Sequence, residues 1–361
     1  MGALPPLPIA TPWWQDIAPV VAAFRQRHRF TPLILRLVSA ERPAPPGGLV
    51  TYLAEVDGPV SGTQPWRATL SEHPLRLAYA RPGGPQADLA WARAKLDQPL
   101  TGPPIQVRTW NLSSLWRLTT PGGEAWLKVV PPFFAHEGAV LTALAGEAVP
   151  ALLAADGPRM LLAQVPGRDL YFAGRRRRGP MIDLLVALQR RWLGRTDELL
   201  ALGALDCRAA ALGQRIASLA DRLKLGAAFA ASLPRRFAAL ADCGPGDGLV
   251  HGDFHPGNFR GRGDELTLLD WGDVAIGHPL LDVMAFVDRI PEASRPIALR
   301  RWKRRWRGVD FDRAWRLIAP LEAARRACVY QGFLDHIEPS EHPYHAGDPR
   351  AWLERAIALA N

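Results

Sequence analysis

The chain has 361 residues, of which 48% are hydrophobic and 22% charged. These are ordinary proportions for a globular protein long enough to form two or three domains. The net charge of +9 would suit a nucleic acid or an anionic substrate, but no nucleic-acid-binding motif accompanies it. No window of about 18 uncharged apolar residues is present, so no membrane span is predicted.

Cysteine usage and the N-terminus both indicate a cytoplasmic protein. The three cysteines are odd in number and widely spaced, which disfavours a disulfide framework or a zinc site; they are Cys207, Cys243 and Cys328. The first residues have neither the basic stretch nor the apolar core of a secretory signal. We therefore expect a reducing compartment.

Residues 1–100 are predicted to form a small α/β appendix. Helical spacing of apolar residues, strand-like apolar runs and Pro/Gly-rich breaks predict a helix at 13–27, strands at 33–38, 49–56 and near 75–79, and a helix at 87–96. A Pro-rich stretch at 97–104 reads as a linker. The appendix is interpreted as a cap or a dimerisation element, and the sequence does not choose between them.

The next segment, 105–166, is predicted to be mostly antiparallel sheet. Strands are expected at 105–110, 115–119, 125–130 and 160–164, with a turn at 111–114 and one helix at 135–144. Lys128 is a lone charge inside an apolar strand, in a chain that has 40 Arg and only four Lys.

From residue 167 onward the pattern is mainly helical. Amphipathic spacing predicts helices at 182–193, 209–223, 233–241, 280–289, 298–307, 318–333 and 351–360. The run Arg175 to Arg178 is interpreted as a solvated loop. In the helix at 298–307, Trp302 and Trp306 are expected to point inward, although a basic aromatic helix also suits RNA.

The chemistry concentrates in His251-Gly-Asp-Phe-His-Pro-Gly-Asn258 and in Asp270-Trp-Gly twelve residues later. Phosphoryl transfer needs a carboxylate that orients the attacking hydroxyl, and hard oxygen ligands for Mg²⁺. Asp253 is expected to orient or accept the hydroxyl proton, with Asn258 and Asp270 as the metal ligands. His251 and His255 are expected to hold the loop by hydrogen bonds.

These motifs, followed by Gly277-His-Pro-Leu-Leu-Asp282, resemble the aminoglycoside phosphotransferase and choline kinase group, which are protein-kinase-like small-molecule kinases. The resemblance implies an α+β, bilobal protein-kinase-like fold behind the N-terminal α/β appendix. Residues 105–166 would be the nucleotide-binding lobe, and 167–361 the helical lobe with the catalytic segment and the acceptor site. Asp282 would brace the catalytic loop.

The same resemblance implies the nucleotide contacts. Lys128 would pair with the α- and β-phosphates and be held by Glu137 on the following helix. The alternative for Lys128 is a surface lysine on an edge strand.

The resemblance implies two further sets of contacts. Ser113 and Ser114, in the predicted turn, would donate hydrogen bonds to phosphate, although small polar residues are common in any hairpin turn. The backbone of Gln164 and Val165 would meet the purine edge, so ATP and GTP cannot be distinguished.

The predicted reaction is Mg²⁺-dependent transfer of the γ-phosphoryl group of ATP or GTP to a hydroxyl of a small molecule. An antibiotic is favoured as the acceptor, for resistance or self-resistance. The acceptor is expected to be neutral or weakly charged, because residues 172–240 carry 13 Lys or Arg against 5 Asp or Glu. A metabolite kinase acting on a sugar or amino alcohol, and a nucleotide-binding pseudokinase scaffold, are the alternatives. No nucleic-acid or membrane partner is expected, and the oligomeric state is not indicated.

Overall fold

The computed structural model describes residues 1–66 and 70–361. Most of the predicted helices are present, several with shifted ends. The helices are α1 Ala18–His28, α2 Gly84–Lys95, α3 Glu137–Ala143, α4 Arg175–Arg191, α5 Thr196–Ala201, α6 Ala209–Leu223, α7 Ala227–Ala241, α8 Asp282–Asp288, α9 Arg295–Arg305, α10 Phe311–His336 and α11 Asp348–Ala360. Within these described residues, no helix has the length and apolar character needed to cross a bilayer.

The strands are short and mostly antiparallel. Those longer than two residues are β1 Leu33–Ala40, β2 Val50–Glu55, β3 Ile105–Trp110, β4 Ser113–Thr120, β5 Gly123–Val129, β6 Leu152–Asp156, β7 Arg159–Ala163, β8 Gly248–Val250, β9 Phe259–Arg262, β10 Glu265–Leu268 and β11 Ala275–Gly277. Two-residue strands occur at Gly2–Ala3, Gln64–Pro65, Arg168–Asp169 and Leu205–Asp206.

The chain forms two compact units, and each is made of separate stretches of sequence. The first contains residues 1–135, 152–164 and 332–347. The second contains residues 136–151, 165–331 and 348–361.

The first unit is built on a five-stranded antiparallel sheet with the strand order β3-β4-β5-β7-β6. Side chains alternate across the sheet, so that one face of β4 and β5 is buried and the other is not. The buried face packs into one cluster with helix α2, and its members include Trp116, Leu118, Leu127, Leu161 and Leu89. Four of the five strands were predicted from the sequence, whereas β6, Leu152–Asp156, was not.

The N-terminal part of the first unit is a β1–β2 hairpin with helix α1 against it. The predicted strand near 75–79 is wrong. The chain makes a 3₁₀ turn at Ala78–Ala80 instead, closed by a hydrogen bond from Ala80 N–H to Leu77 O of 3.0 Å. Tyr79 is buried there, and its hydroxyl donates to Trp110 O at 2.8 Å. An alternating pattern of this length does not distinguish a strand from a turn with one buried side.

The second unit is mainly helical, around a core of aromatic side chains. Phe254 stacks on Phe286 with ring centroids 5.1 Å apart, and Trp302 lies edge-on to Phe254 at 5.9 Å. Trp302 is 0% and Trp306 3% exposed. The inward orientation predicted for these two tryptophans is confirmed, so neither ring is available to stack on a partner.

Helix α4 begins at Arg175, so the prediction of a loop at Arg175 to Arg178 is wrong. Gly174 precedes the helix in an extended conformation, and its carbonyl accepts the first-turn N–H of Arg177 at 3.0 Å. Arginine is a good helix former, and the apolar residues from Met181 onward are buried along one side of the helix. The charge run is therefore the first turn of a packed helix.

Candidate active site

The catalytic segment lies in the second unit, between a buried strand and a hairpin. Strand β8 is buried throughout, and His251 is the residue directly after it. A 3₁₀ turn follows at Pro256–Asn258. The hairpin β9–β10 then ends at Leu268, two residues before Asp270. The N–H of Leu269 donates to Asn258 O at 2.7 Å. This bond joins the segments of the two predicted metal ligands.

Gly252 permits the close approach that shapes this loop. Its φ is +87°, and a Cβ built there would lie 2.0 Å from the carbonyl oxygen of Asp273. A side chain at this position would therefore push the backbone of Asp273 away, and it would also strain the backbone of residue 252 itself. The glycine of the motif is required by packing.

Asp282 braces the loop, as predicted. Its Oδ2 accepts the N–H of His251 and its Oδ1 the N–H of Gly252, both at 2.9 Å. Gln189 Nε2 donates to Oδ2 at 2.8 Å. Burial raises the pKa of Asp282 to about 7, against the opposing effect of the two backbone hydrogen bonds. Each buried N–H that lost this acceptor would cost about 1–3 kcal/mol.

The side chains of Asp253 and Asn258 are in contact. Asn258 Nδ2 donates to Asp253 O at 2.8 Å and to Asp253 Oδ2 at 3.1 Å. His255 Nε2 lies 3.2 Å from the same Oδ2. Burial pushes the pKa of Asp253 upward, but His255, by hydrogen bond and charge, and then Arg326 hold it well below its usual range. The side chain is 35% exposed, so an ionised carboxylate faces solvent.

The histidines hydrogen-bond the loop, as expected. Gly257 N–H donates to His255 Nδ1 at 3.0 Å. Burial lowers the pKa of His251 to about 4. Asp253 N–H donates to His251 Nδ1 at 3.3 Å, so the proton of this neutral ring sits on Nε2 and is donated to Leu269 O at 3.0 Å.

Asp270 is exposed and has a φ of +63°, a region that Asn and Asp adopt more readily than most other side-chain-bearing residues. Because Asn258 uses its amide NH₂ on Asp253, its Oδ1 is directed away from that carboxylate. An amide oxygen and a carboxylate are hard donors that fit Mg²⁺. Across residues 1–66 and 70–361, no group of three or more His, Cys, Asp or Glu is arranged to hold a metal ion.

Glu137 and Lys128 lie in different units. In the second unit, Glu137 is 2% exposed, and its Oε1 accepts Trp271 N–H at 3.2 Å, next to Asp270. In the first unit, Lys128 is half-buried on β5, the middle strand of the sheet, between Leu115 and Met160. The edge-strand alternative for Lys128 is thus wrong, and its pairing with Glu137 stays a prediction.

The predicted turn at 111–114 is shorter than expected, because Ser113 and Ser114 already belong to β4. Ser113 Oγ accepts from Trp110 Nε1 at 3.1 Å, and Ser114 Oγ from Trp116 Nε1 at 3.0 Å. Ser114 is 1% exposed, so its hydroxyl serves strand packing. A phosphate contact from Ser113 stays a prediction.

Gln164 and Val165, whose backbone is predicted to bind the purine, come directly after strand β7. Trp126 Nε1 donates to the side chain of Gln164 within the first unit. In the second unit, Val165 O accepts from Arg260 Nε at 3.2 Å. A role of these two residues in nucleotide binding stays a prediction.

Comparison with known proteins identifies the family. Residues 104–321 match the phosphotransferase enzyme family, which is more than half of the chain. The chain belongs to this family. It is a small-molecule phosphotransferase with a hydroxyl group as acceptor, and the predicted resemblance and α+β protein-kinase-like fold are confirmed. No curated protein matches the chain.

Solved structures share the fold of this phosphotransferase at low sequence identity. A macrolide 2'-phosphotransferase from Brachybacterium faecium is 21% identical, with 72% of this chain and 96% of that chain covered and a TM-score of 0.51. The ethanolamine kinase of Plasmodium vivax is 10% identical, with 72% of this chain and 82% of that chain covered and a TM-score of 0.54. Aminoglycoside 2'-phosphotransferase-IIIa, solved as a GDP complex, is 14% identical, with 73% of this chain and 92% of that chain covered and a TM-score of 0.50.

Sequence reasoning missed a buried charge cluster beside the catalytic loop of the phosphotransferase. It consists of Glu322, Arg325 and Arg326 on helix α10, and we call these three residues the arginine cluster. Arg325 Nη2 donates to Gly252 O at 2.5 Å, immediately before Asp253. The available signal was the i+3 and i+4 spacing of one Glu and two Arg on a predicted helix.

Proposed function

We propose that this protein is a Mg²⁺-dependent enzyme that transfers the γ-phosphoryl group of ATP or GTP to a hydroxyl of a neutral or weakly charged small molecule, with an antibiotic favoured. The observation that carries the proposal is Asp253. Its carboxylate is ionised, partly exposed, and fixed by Asn258 and His255 in a loop braced by Asp282. This is how a group that orients a hydroxyl should be held.

In the proposed reaction, the acceptor hydroxyl oxygen forms a bond to the γ-phosphorus while the bond to the β–γ bridging oxygen breaks. The nucleoside diphosphate leaves, and Asp253 orients the hydroxyl and accepts its proton. Asn258 and Asp270 would hold Mg²⁺, which when bound neutralises charge on the phosphate oxygens.

The remaining nucleotide contacts follow the family pattern. Lys128, oriented by Glu137, would pair with the phosphates, and Ser113 would add a hydroxyl donor. The backbone of Gln164 and Val165 would meet the base. A GDP complex among the similar folds supports a nucleoside triphosphate as co-substrate.

The domain roles are part of the proposal. Residues 105–166 would bind nucleotide, and 167–361 would carry catalysis and the acceptor site. The family match begins at residue 104, which supports reading residues 1–100 as an addition to the family fold, as a cap or a dimerisation element.

Charge supports a neutral or weakly charged acceptor. Residues 172–240 carry 13 Lys or Arg against 5 Asp or Glu. An acceptor ammonium about 4 Å from one of these cations, where no carboxylate compensates its charge, would be disfavoured by roughly 4 kcal/mol at an effective dielectric of about 20. Names among the similar folds include a macrolide phosphotransferase and an ethanolamine kinase, so a sugar or amino-alcohol kinase is the second candidate.

The test is phosphorylation of a fixed panel with ATP and with GTP, each with Mg²⁺ and with EDTA. The panel contains kanamycin as the polycation, erythromycin, uridine, methyl glucoside and ethanolamine. We expect Mg²⁺-dependent turnover and a higher kcat/KM for uridine, erythromycin or methyl glucoside than for kanamycin. A clear preference for kanamycin would contradict the acceptor class. Binding of nucleotide without any turnover would favour a pseudokinase scaffold.

A further inference from the structure

The turn between strands β3 and β4 is two residues long and contains no glycine. Trp110 and Ser113 pair across it, and Asn111 and Leu112 connect the two strands. In the proposed function, Ser113 donates a hydrogen bond to the phosphates of the nucleotide. A donor that is ordered only when the ligand binds costs affinity, whereas a donor already held in place does not. The contacts behind this turn therefore matter for nucleotide binding.

Asn111 is held by the segment that follows helix α10, within the first unit. Asn111 is 1% exposed. Its Nδ2 donates to Glu341 O at 3.2 Å, and its Oδ1 accepts from His345 Nε2 at 3.1 Å. A buried amide that is bonded through both its nitrogen and its oxygen has a fixed orientation. The first residue of the turn is therefore anchored to a segment 230 residues later in the chain.

Trp110, the residue before the turn, is held by the N-terminal residues and by the same late segment. Its carbonyl accepts the hydroxyl of Tyr79, which is 2% exposed, at 2.8 Å. Its ring lies edge-on to that of Tyr344, with the centroids 5.5 Å apart. Its Nε1 donates to Ser113 Oγ at 3.1 Å. The position of the Ser113 hydroxyl is thus linked, through Trp110, to a tyrosine of residues 1–100.

These contacts leave the Ser113 hydroxyl able to donate. Its oxygen accepts from Trp110, so its own O–H still needs an acceptor. Ser113 is half-buried, whereas Asn111 and Ser114 are each 1% exposed. The fully buried polar side chains of the hairpin therefore serve as anchors, and the accessible one keeps a donor for a ligand oxygen.

We propose that Tyr79 and Asn111 are positioning residues for the nucleotide. They hold the β3–β4 turn, and with it the hydroxyl of Ser113, in the place where the phosphates bind. Both are buried, so they act through the turn and not on the nucleotide directly. The role of residues 1–100 is then that of a cap that keeps a phosphate-binding turn rigid. This inference rests on the proposed function and adds what holds one of its phosphate contacts.

The test uses two variants that each remove one anchor. Tyr79→Phe keeps the buried ring and removes only the hydroxyl, whereas Asn111→Ala removes both amide bonds. Kinetics are measured with Mg²⁺, with ATP and GTP, and with uridine, erythromycin or methyl glucoside, whichever is used best. Loss of a buried hydrogen bond should raise the KM for the triphosphate about 3- to 10-fold. The KM for the acceptor should stay near the wild-type value.

The effect should also depend on the phosphates. Adenosine, or guanosine if GTP is preferred, is measured as an inhibitor competitive with the triphosphate. The nucleoside has no phosphate for the turn to meet, so its inhibition constant should be the same in the variants and in the wild type. A general loss of order in the first unit would instead weaken the binding of nucleoside and triphosphate alike.

Two control variants remove matched bonds of the first unit that do not hold the turn. Tyr52→Phe removes a hydroxyl that donates to Trp14 O at 2.6 Å. Gln106→Ala removes a buried amide on β3, whose Nε2 donates to Ile34 O at 2.7 Å and whose Oε1 accepts Ile34 N–H at 2.9 Å. Each should lower the melting temperature about as much as its test variant and leave the KM for the triphosphate unchanged. If Asn111→Ala does not fold, Tyr79→Phe against Tyr52→Phe decides the question.

Three results would overturn the inference. One is an unchanged KM for the triphosphate in the test variants. Another is an equal rise in the matched controls, and the third is an equal weakening of nucleoside and triphosphate. A wild type with no Mg²⁺-dependent turnover would instead contradict the proposed function, and direct titration of the same variants with ATP and GTP would still test the two anchors.

Discussion

At the scale of single residues, the carboxylate of Asp253 is prepared for its role by its neighbours. Asn258 and His255 both contact its Oδ2, and the resulting low pKa keeps it ionised at neutral pH. Such a group orients a hydroxyl and receives its proton as the phosphoryl group transfers. General-base assistance contributes roughly 10²- to 10⁴-fold to rate.

Asp253→Asn should therefore lower kcat by about 10²- to 10⁴-fold while nucleotide affinity and melting temperature stay near wild type. Asn retains the size of Asp, and the site is partly exposed, so little packing is lost. Steady-state kinetics and nucleotide titration measure the two effects. Asp221→Asn, at a side chain 83% exposed, is the control. Turnover of Asp253→Asn at the wild-type rate would exclude the assigned role.

At the scale of elements, two different structures carry the proposed phosphate and metal contacts. Lys128 projects from the middle strand of a five-stranded sheet, whose backbone is paired on both sides. Asp270 sits in the turn after the β9–β10 hairpin, with a left-handed backbone. A rigid strand suits a fixed point charge on phosphate, whereas backbone strain at a turn is characteristic of functional sites.

Asp270→Asn and Lys128→Ala should separate these roles. Asn tolerates the left-handed conformation, so Asp270→Asn should lower nucleotide affinity in Mg²⁺ and have little effect in EDTA. Lys128→Ala should lower affinity in both conditions and keep the response to Mg²⁺. Titration of Mg²⁺ against nucleotide affinity distinguishes them. Asp270→Gly controls for the backbone, and identical Mg²⁺ responses in both variants would show that one role is misassigned.

At the scale of the whole molecule, the N-terminal hairpin is tied to a segment near the C-terminus within the first unit. Glu338 pairs with Arg76 at 2.9 Å and with Arg36 at 3.6 Å. Glu341 Oε1 accepts Leu37 N–H at 2.8 Å, and its backbone carbonyl accepts from Asn111 at 3.2 Å. The segment 332–347 is thus bound to the N-terminal residues of the same unit by side-chain and backbone contacts.

Glu341 should make the stability of this unit depend on pH. Burial raises the pKa of Glu341 from 4.5 to about 8, so the folded state holds its proton longer than the unfolded state. Its contribution is fully present below about pH 4.5 and is lost as pH rises toward 8. Over this range, the free energy of unfolding should fall by up to about 1.4 kcal/mol per pH unit.

Glu341→Gln tests this, because Gln keeps the acceptor for Leu37 N–H but does not titrate. Relative to wild type, the free energy of unfolding of the variant should increase between pH 5 and pH 8. Urea unfolding at several pH values measures it. Glu354→Gln, at a side chain 56% exposed, should show no such trend. A constant difference between the Glu341→Gln variant and wild type would refute the assignment.

The sequence by itself determined the catalytic segment, because its parts are close in the chain. A spacing of five residues sets Asn258 against Asp253, and the two motifs that contain Gly252 and Asp282 lie 30 residues apart. The apolar runs at 115–119 and 125–130 likewise predicted two strands, with Lys128 on the second. Local spacing and backbone geometry carry this information, so motif reasoning recovers it.

Tertiary structure alone decided the contacts between distant residues. Arg76 and Glu338 are separated by 262 residues, Leu37 and Glu341 by 304, and Arg325 and Gly252 by 73. Each contact depends on which buried charge finds a partner once helices and strands have packed. In this Arg-rich sequence, the residues next to an arginine do not show whether its side chain is solvated or buried beside the catalytic loop. Only the packed fold brought Arg325 to the catalytic loop, because burial and pairing of charge are properties of the assembled core.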